Sequence, residues 1–197
     1  MNSIDPFEGD ARKAPPPDGD LPKAIHILGA SGAGTTTLGE ALRDRFGYTL
    51  LDSDDFFWLP TDPKYTTPRP IEERQRLLSE AIVATGKWVL TGSSCGWGDM
   101  FIPLFKKVIL VETPTEVRIE RLKKREFDHL GERVLPGGDM HEAHREFLAW
   151  AARYDSAGLE QRSRALHEQW LQKVSCPIVV VDGTLPVDEM VRQAGVC

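Results

Sequence analysis

The run Ala24-Ile25-His26-Ile27-Leu28 followed by Gly29-Ala30-Ser31-Gly32-Ala33-Gly34-Thr35-Thr36-Thr37 constrains this chain more than any other stretch. A short apolar run fits a buried strand, the glycines free the backbone to turn, and Leu38, Leu42 and Phe46 then recur at helical spacing. Strand, loop and helix in that order converge successive main-chain N–H groups at a helix N-terminus, where they cradle a phosphate anion. The spacing follows G-x-x-x-x-G-K-[ST] at every position but one, because Thr35 stands where the pattern has lysine. Thr36 occupies the position of the hydroxyl that completes Mg²⁺ coordination, while Thr35 and Thr37 offer only neutral hydrogen bonds. A glycine-rich turn that packs tightly and binds nothing has the same composition. The strand before it and the helix after it favour phosphate.

The rest of the chain repeats this alternation. Apolar runs at 49–51, 87–91, 108–111 and 177–181 are separated by helical patterns: Ile71 to Thr85 with Gly86 as C-cap, and Pro114 to about Phe127. A face of Met140, His144, Phe147, Ala151 and Tyr154 follows Asp139 and Glu142 at capping-box spacing, then one of Leu159, Ser163, Leu166, Trp170 and Val174, then Val187 to Gln193. Five apolar strands separated by helices predict an α/β fold whose parallel sheet is covered on both faces. Residues 1–23 hold five prolines and no apolar period and are expected to be a mobile leader, so the domain is placed at 24–197. Trp58 to Pro70 carries four prolines without periodicity, the mark of a functional or mobile loop.

Composition excludes several function classes. Lys and Arg number 24 against 30 Asp and Glu, so a net charge of −6 leaves no global positive field for a nucleic-acid backbone. Any anionic ligand must be caught locally. Three cysteines without framework spacing read as thiols of a reducing compartment. No apolar run approaches the roughly 20 residues of a membrane span, and the N-terminus has no signal pattern, so the expected location is cytoplasmic. His141 and His144 with Asp139 have no third ligand at zinc spacing, and no metal site is expected there.

The phosphate loop, the alternation to Val181 and the helix Pro114-Thr115-Glu116-Val117-Arg118-Ile119-Glu120-Arg121-Leu122-Lys123-Lys124-Arg125 resemble small P-loop kinases of the adenylate kinase and shikimate kinase type, over about residues 24–195. The resemblance implies a three-layer α/β/α fold, a sheet in the order 2-3-1-4-5 and a helical lid over about 126–155. It also implies ATP and Mg²⁺ as cofactors and phosphoryl transfer to a small-molecule or nucleotide acceptor. The family's lysine spreads positive charge over the β and γ phosphates in the transition state, and this chain has Thr35 there. Lid arginines of such kinases neutralise the transferred group, which directs attention to Arg121 and Arg125, at i and i+4, and to Arg133 beyond them. By the same resemblance, Asp182 and Gly183 are expected beside the adenine, although an ordinary strand-to-helix turn reads the same.

On the acceptor side, Asp52-Ser53-Asp54-Asp55-Phe56-Phe57 ends the second strand, at the sheet edge where open α/β folds bind ligands. Asp-Asp-Phe-Phe is similar to a segment of the uridine kinase and nicotinamide riboside kinase branch, in which an aspartate approaches the acceptor hydroxyl. Asp54 is the first choice and Asp55 the second for taking that proton, and Asp54 joins Thr36 as a metal-organising group. Capping of the next segment is the competing role. Arg69, in a loop that also carries Lys64 and Tyr65, is expected to pair an anionic acceptor group; an ordinary solvated loop reads equally well. Gly92, Ser93 and Trp97 are expected to line the acceptor, with Trp97 stacking on a ring or packing as core, and Cys95 as a packed thiol. A different class stays open: a nucleotide-binding sensor or assembly factor that kept the cradle and lost transfer with the lysine.

Overall fold

The computed structural model describes residues 22–62 and 64–196. The expected leader lies outside the described residues except for its last two, and those are tied to the sheet. The carbonyl of Pro22 accepts from Tyr48 Oη at 2.8 Å, and that of Lys23 from the Trp88 amide at 2.9 Å.

Five strands, β1 (Ala24–Gly29), β2 (Thr49–Asp52), β3 (Trp88–Thr91), β4 (Lys107–Glu112) and β5 (Ile178–Asp182), pair in the order β2-β3-β1-β4-β5, all parallel. Parallel pairing puts every carboxyl end on one edge, so Gly29, Asp52, Thr91, Glu112 and Asp182 end side by side. Successive side chains of β1 point to opposite faces. Ile25 and Ile27 pack with Leu38, Leu42, Ile109, Val181 and Met190, whereas Leu28 packs with Leu78, Leu90, Phe105, Val108 and Trp170. The first face is covered by α1 (Thr35–Phe46) and α7 (Val187–Ala194), the second by α3 (Ile71–Val83) and α6 (Arg164–Leu171). Each fully buried leucine of α1 contributes about 1.5–3 kcal/mol of transfer free energy. β5 departs from expectation: its run is continuously apolar, but as an edge strand it leaves Ile178 and Val180 exposed.

Element ends show where local signals were overruled. α1 starts two residues earlier than its apolar period, because Gly34 at φ +106° ends the phosphate loop directly at Thr35. α3 stops at Val83, before Gly86. The last long helical face narrows to α6, which begins when the Ser163 side chain accepts from the Leu166 amide at 3.0 Å. Asp139 does not cap α5 (His141–Ala152); its carboxylate takes two hydrogen bonds from Arg133 instead. The five-residue α2 (Ser53–Phe57) and the 3-10 segment Asp99–Leu104 are too short for a period to show.

The segment expected as the lid, about 126–155, holds the end of α4 (Thr115–Leu130), a 3-10 turn at Gly131–Val134, and α5. Buried Arg118 fastens it, donating to the carbonyls of Thr113 and Ala151 at 3.0 and 3.1 Å and pairing with Asp155 at 2.9 Å. Among the described residues no helix is long and apolar enough to cross a membrane.

Candidate active site

The phosphate loop is shaped by what lies beneath it. Gly32 has φ +79°, and a Cβ there would stand 2.7 Å from the carbonyl oxygen of Arg118, so only glycine lets the loop rest on α4. The Ala33 amide donates to the Ala30 carbonyl at 3.0 Å, closing the turn, and the Ala33 carbonyl accepts from Thr113 Oγ1 at 2.9 Å. Ser31 and Thr35 are half-buried; Thr36 and Thr37, in the first turn of α1, are exposed. Asp182 turns back to accept from the amide and hydroxyl of Thr184, while the Gly183 amide donates to the Glu112 carbonyl and its backbone packs against Ala33.

Of the three arginines singled out, Arg121 alone reaches this loop. Its Nη1 lies 3.4 Å from the Ala33 carbonyl oxygen and 3.8 Å from where a Cβ on Gly34 would stand. Among the described residues no carboxylate pairs with it, so the charge faces the cradle unneutralised. Arg125, four residues on, turns to Glu126 at 3.5 Å, and Arg133 is held by Asp139 at 2.7 Å. Among the described residues neither of those two hydrogen-bonds to the loop.

On the acceptor side Asp52 is both a cap and a partly buried carboxylate. Asp52 caps α2, accepting from the Asp54 amide at 3.0 Å. Burial pushes its carboxyl up to about 6; the Asp54 amide opposes this, Asp54 and Asp55 add to it through like charge, and Arg162 opposes it. Ser53, 1% exposed, has an Oγ with no hydrogen-bond partner, packed where Gly92 lacks a side chain. Sequence reasoning missed Arg162. It precedes α6, stands 3.9 Å from Asp54 Oδ1, and lies over the Trp150 ring, yet no periodicity or motif marks its position.

Three acceptor-side expectations are corrected. Arg69 is spent inside its own loop, donating to the carbonyls of Phe56 and Trp58 at 3.1 Å each and pairing with Glu73 at 2.8 Å, so it does not stand free to clamp an anion. Trp97 is 4% exposed in the core and donates to the Ser93 carbonyl, which makes it packing rather than a stacking platform. Ser93 does lie after β3, but its hydroxyl meets His167 Nε2 at 3.2 Å, and the neighbouring Ser94 hydroxyl meets His26 Nε2 at 3.2 Å. Burial lowers His26 to about 4 and His167 to about 3, so both are neutral props of this loop. Burial likewise pushes the Cys95 thiol up to about 11.

The exposed aromatic here is Tyr65. At φ +63° it is the non-glycine residue with positive φ among those described, its ring edge-on to Trp58 at 6.2 Å. Burial of its hydroxyl, then the charges of Asp54 and Asp52, raise its pKa, which sets it beside the carboxylates.

A parallel sheet in this order, with a glycine loop between β1 and α1 at its carboxyl edge, defines a P-loop protein of the small-kinase fold. The chain belongs to the AAA domain family, whose family model matches residues 25–133. It is 46% identical over 171 residues to the uncharacterized protein YqaC of Bacillus subtilis (strain 168), covering 87% of this chain and 94% of that one. It is 27% identical over 115 residues to shikimate kinase 2 of Serratia proteamaculans (strain 568), covering 53% of this chain and 65% of that one. Among solved structures, the shikimate kinase from Acinetobacter baumannii in complex with shikimate overlays with a TM-score of 0.48 at 19% identity, covering 89% and 90% of the two chains.

Proposed function

We propose that this protein is an ATP-dependent kinase that passes the γ-phosphoryl group to a hydroxyl on a small molecule. The observation that carries the reading is Arg121, whose unpaired guanidinium borders a phosphate cradle that has no lysine of its own. A preorganised cation there stabilises charge that builds up during transfer. The loop and first helical turn from Gly29 to Thr37 hold the donor phosphates, and Asp182 and Gly183 border the base. The exposed Thr36 hydroxyl suits Mg²⁺, with Asp54 on its acceptor side; when bound, the ion supplies positive charge to the phosphate oxygens. Asp54 takes the acceptor's proton, Asp55 being the second candidate, and Arg125 and Arg133 join Arg121 in steadying the transferred phosphoryl group. The shikimate kinase relative supports phosphoryl transfer as the reaction class.

A nucleotide sensor is the second reading, and Thr35 is the observation that favours it. ADP release from MgATP by the full chain, with and without a panel of hydroxyl acceptors, separates the two. A kinase releases ADP above the no-acceptor control with at least one acceptor; a sensor binds MgATP and releases none.

A further inference from the structure

We infer that Tyr154 and His167 are positioning residues of the acceptor edge: they brace the segment 153–167 so that it holds Arg162 against Asp54. The consequence for turnover rests on the phosphoryl-transfer reading. From Ser156 to Ser163 the chain has neither helix nor strand, so side-chain bonds have to fix it. Arg153 donates to Gln161 Oε1 at 2.8 Å, and Gln161 Nε2 to the Trp150 carbonyl at 3.2 Å. Ser163 Oγ donates to the Gly158 carbonyl, and Arg164 pairs with Asp155 at 2.9 Å and with Glu112 of β4 at 2.6 Å. Between the bonded residues Gln161 and Ser163 stands Arg162, its guanidinium over the Trp150 ring at 5.9 Å and 3.9 Å from Asp54 Oδ1. That separation exceeds a hydrogen bond, so Arg162 acts on the proposed base through charge and leaves its oxygens free to accept a proton.

Tyr154 and His167 close this stretch, with Tyr154 Oη 2.9 Å from His167 Nδ1, while His167 Nε2 meets Ser93 Oγ at 3.2 Å. Proton counting gives the chain a direction. Burial keeps His167 neutral down to about 3 and Tyr154 protonated up to about 12, so the imidazole has one N–H and one lone pair and the phenol has its proton. Among the described residues Tyr154 Oη has no other hydrogen-bond partner, so it donates to Nδ1 and the Nε2–H donates to Ser93 Oγ. The opposite tautomer would strand the phenol proton in the core. Ser93, its oxygen accepting, still has a proton for Cys95, where that bond opposes the burial that raises the thiol. A buried chain satisfied in one direction thus ties both ends of the stretch to the loop after β3. Trp170 and Lys173 also reach that loop, at Asp99, but from further along the chain, so they hold the rest of α6 rather than the stretch before it.

The test uses the full chain. Nitrogen NMR of the imidazoles, with the His167 signals identified by their loss in His167→Gln, should show its proton on Nε2, and Tyr154→Phe should shift the Nδ1 signal. A proton on Nδ1 overturns the inference and leaves the kinase reading intact. With MgATP and whichever of shikimate, gluconate, hexoses and ribonucleosides releases ADP, Tyr154→Phe should lower acceptor kcat/KM by about tenfold, while MgATP affinity by calorimetry stays at the wild-type value. In an Arg162→Gln background the same change should cost less than about twofold, because the arm then has no guanidinium to hold. His167→Gln, which keeps one donor and one acceptor, should retain more activity than His167→Leu. An equal loss from Tyr154→Phe with and without Arg162, or no loss at all, makes the pair ordinary core residues and overturns the inference. No transfer by wild type to any of these acceptors, with MgATP binding retained, overturns the kinase reading and this inference with it.

Discussion

Arg121 Nη1 lies 3.4 Å from the carbonyl oxygen of Ala33, so a side chain of α4 forms part of the wall of the phosphate loop. At that distance the bond to a neutral carbonyl is weak, and a phosphate oxygen is the better partner for a guanidinium. The chain thus brings from α4 the charge that its loop, with Thr35, does not provide.

Asp54 and Asp52 should respond differently to the same substitution. Asp54→Asn keeps size and removes basicity, so turnover should fall by about 10²-fold or more with little change in melting temperature. Asp52→Asn keeps the oxygen that accepts from the Asp54 amide and removes a charge whose folded pKa is raised to about 6. The native wild type is penalised where that carboxyl is ionised, so the variant should melt higher than wild type at pH 8 and no higher at pH 4. Equal melting shifts at both pH values would contradict the assignment.

Tyr65→Gly relieves a positive φ, and glycine adopts that backbone freely. The gain should offset the lost contact with Trp58 and leave stability within about 1 kcal/mol of wild type, while acceptor KM rises. Chemical denaturation beside steady-state kinetics reads both; a large stability loss with unchanged KM would make Tyr65 a structural residue.

Local signals carried most of the fold and less of the site. Glycine spacing and the apolar runs are read from neighbouring residues, and they were sufficient to locate the glycine loop and the five strands, while the strand order came with the resemblance to small P-loop kinases. Whether an arginine is free is a tertiary fact. Arg69 and Arg121 look alike in sequence, yet one is consumed by carbonyls of its own loop and the other faces the cradle. Asp139 has capping spacing, but Arg133 offers it a two-point charged partner that outcompetes a backbone amide. Arg162 reaches Asp54 from more than 100 residues away, and no local pattern encodes such a meeting.

The buried histidines set an acid limit on stability. His26 and His167 stay neutral in the fold to about 4 and about 3, below the ordinary 6.5, so as pH falls through 6.5 the unfolded chain takes up protons that the native one does not. Their contribution is complete above 6.5 and is lost on acidification, at about 1.4 kcal/mol per pH unit per proton. Asp52 opposes with one proton between about 6 and its ordinary 3.8. Wild type should therefore lose stability between pH 6.5 and 4.5 in urea titrations, and His167→Gln should flatten that slope. An unchanged slope would place the titration elsewhere.

The most direct test of the central claim is a calorimetric titration with MgATP of wild type, Arg121→Ala, Thr35→Lys and the double variant. Wild type should bind, Arg121→Ala should weaken binding by about tenfold or more, and Thr35→Lys should recover most of that loss in the double variant while adding little in the presence of Arg121. Equal affinity of wild type and Arg121→Ala, or a gain from Thr35→Lys of the same size in both backgrounds, would contradict the account.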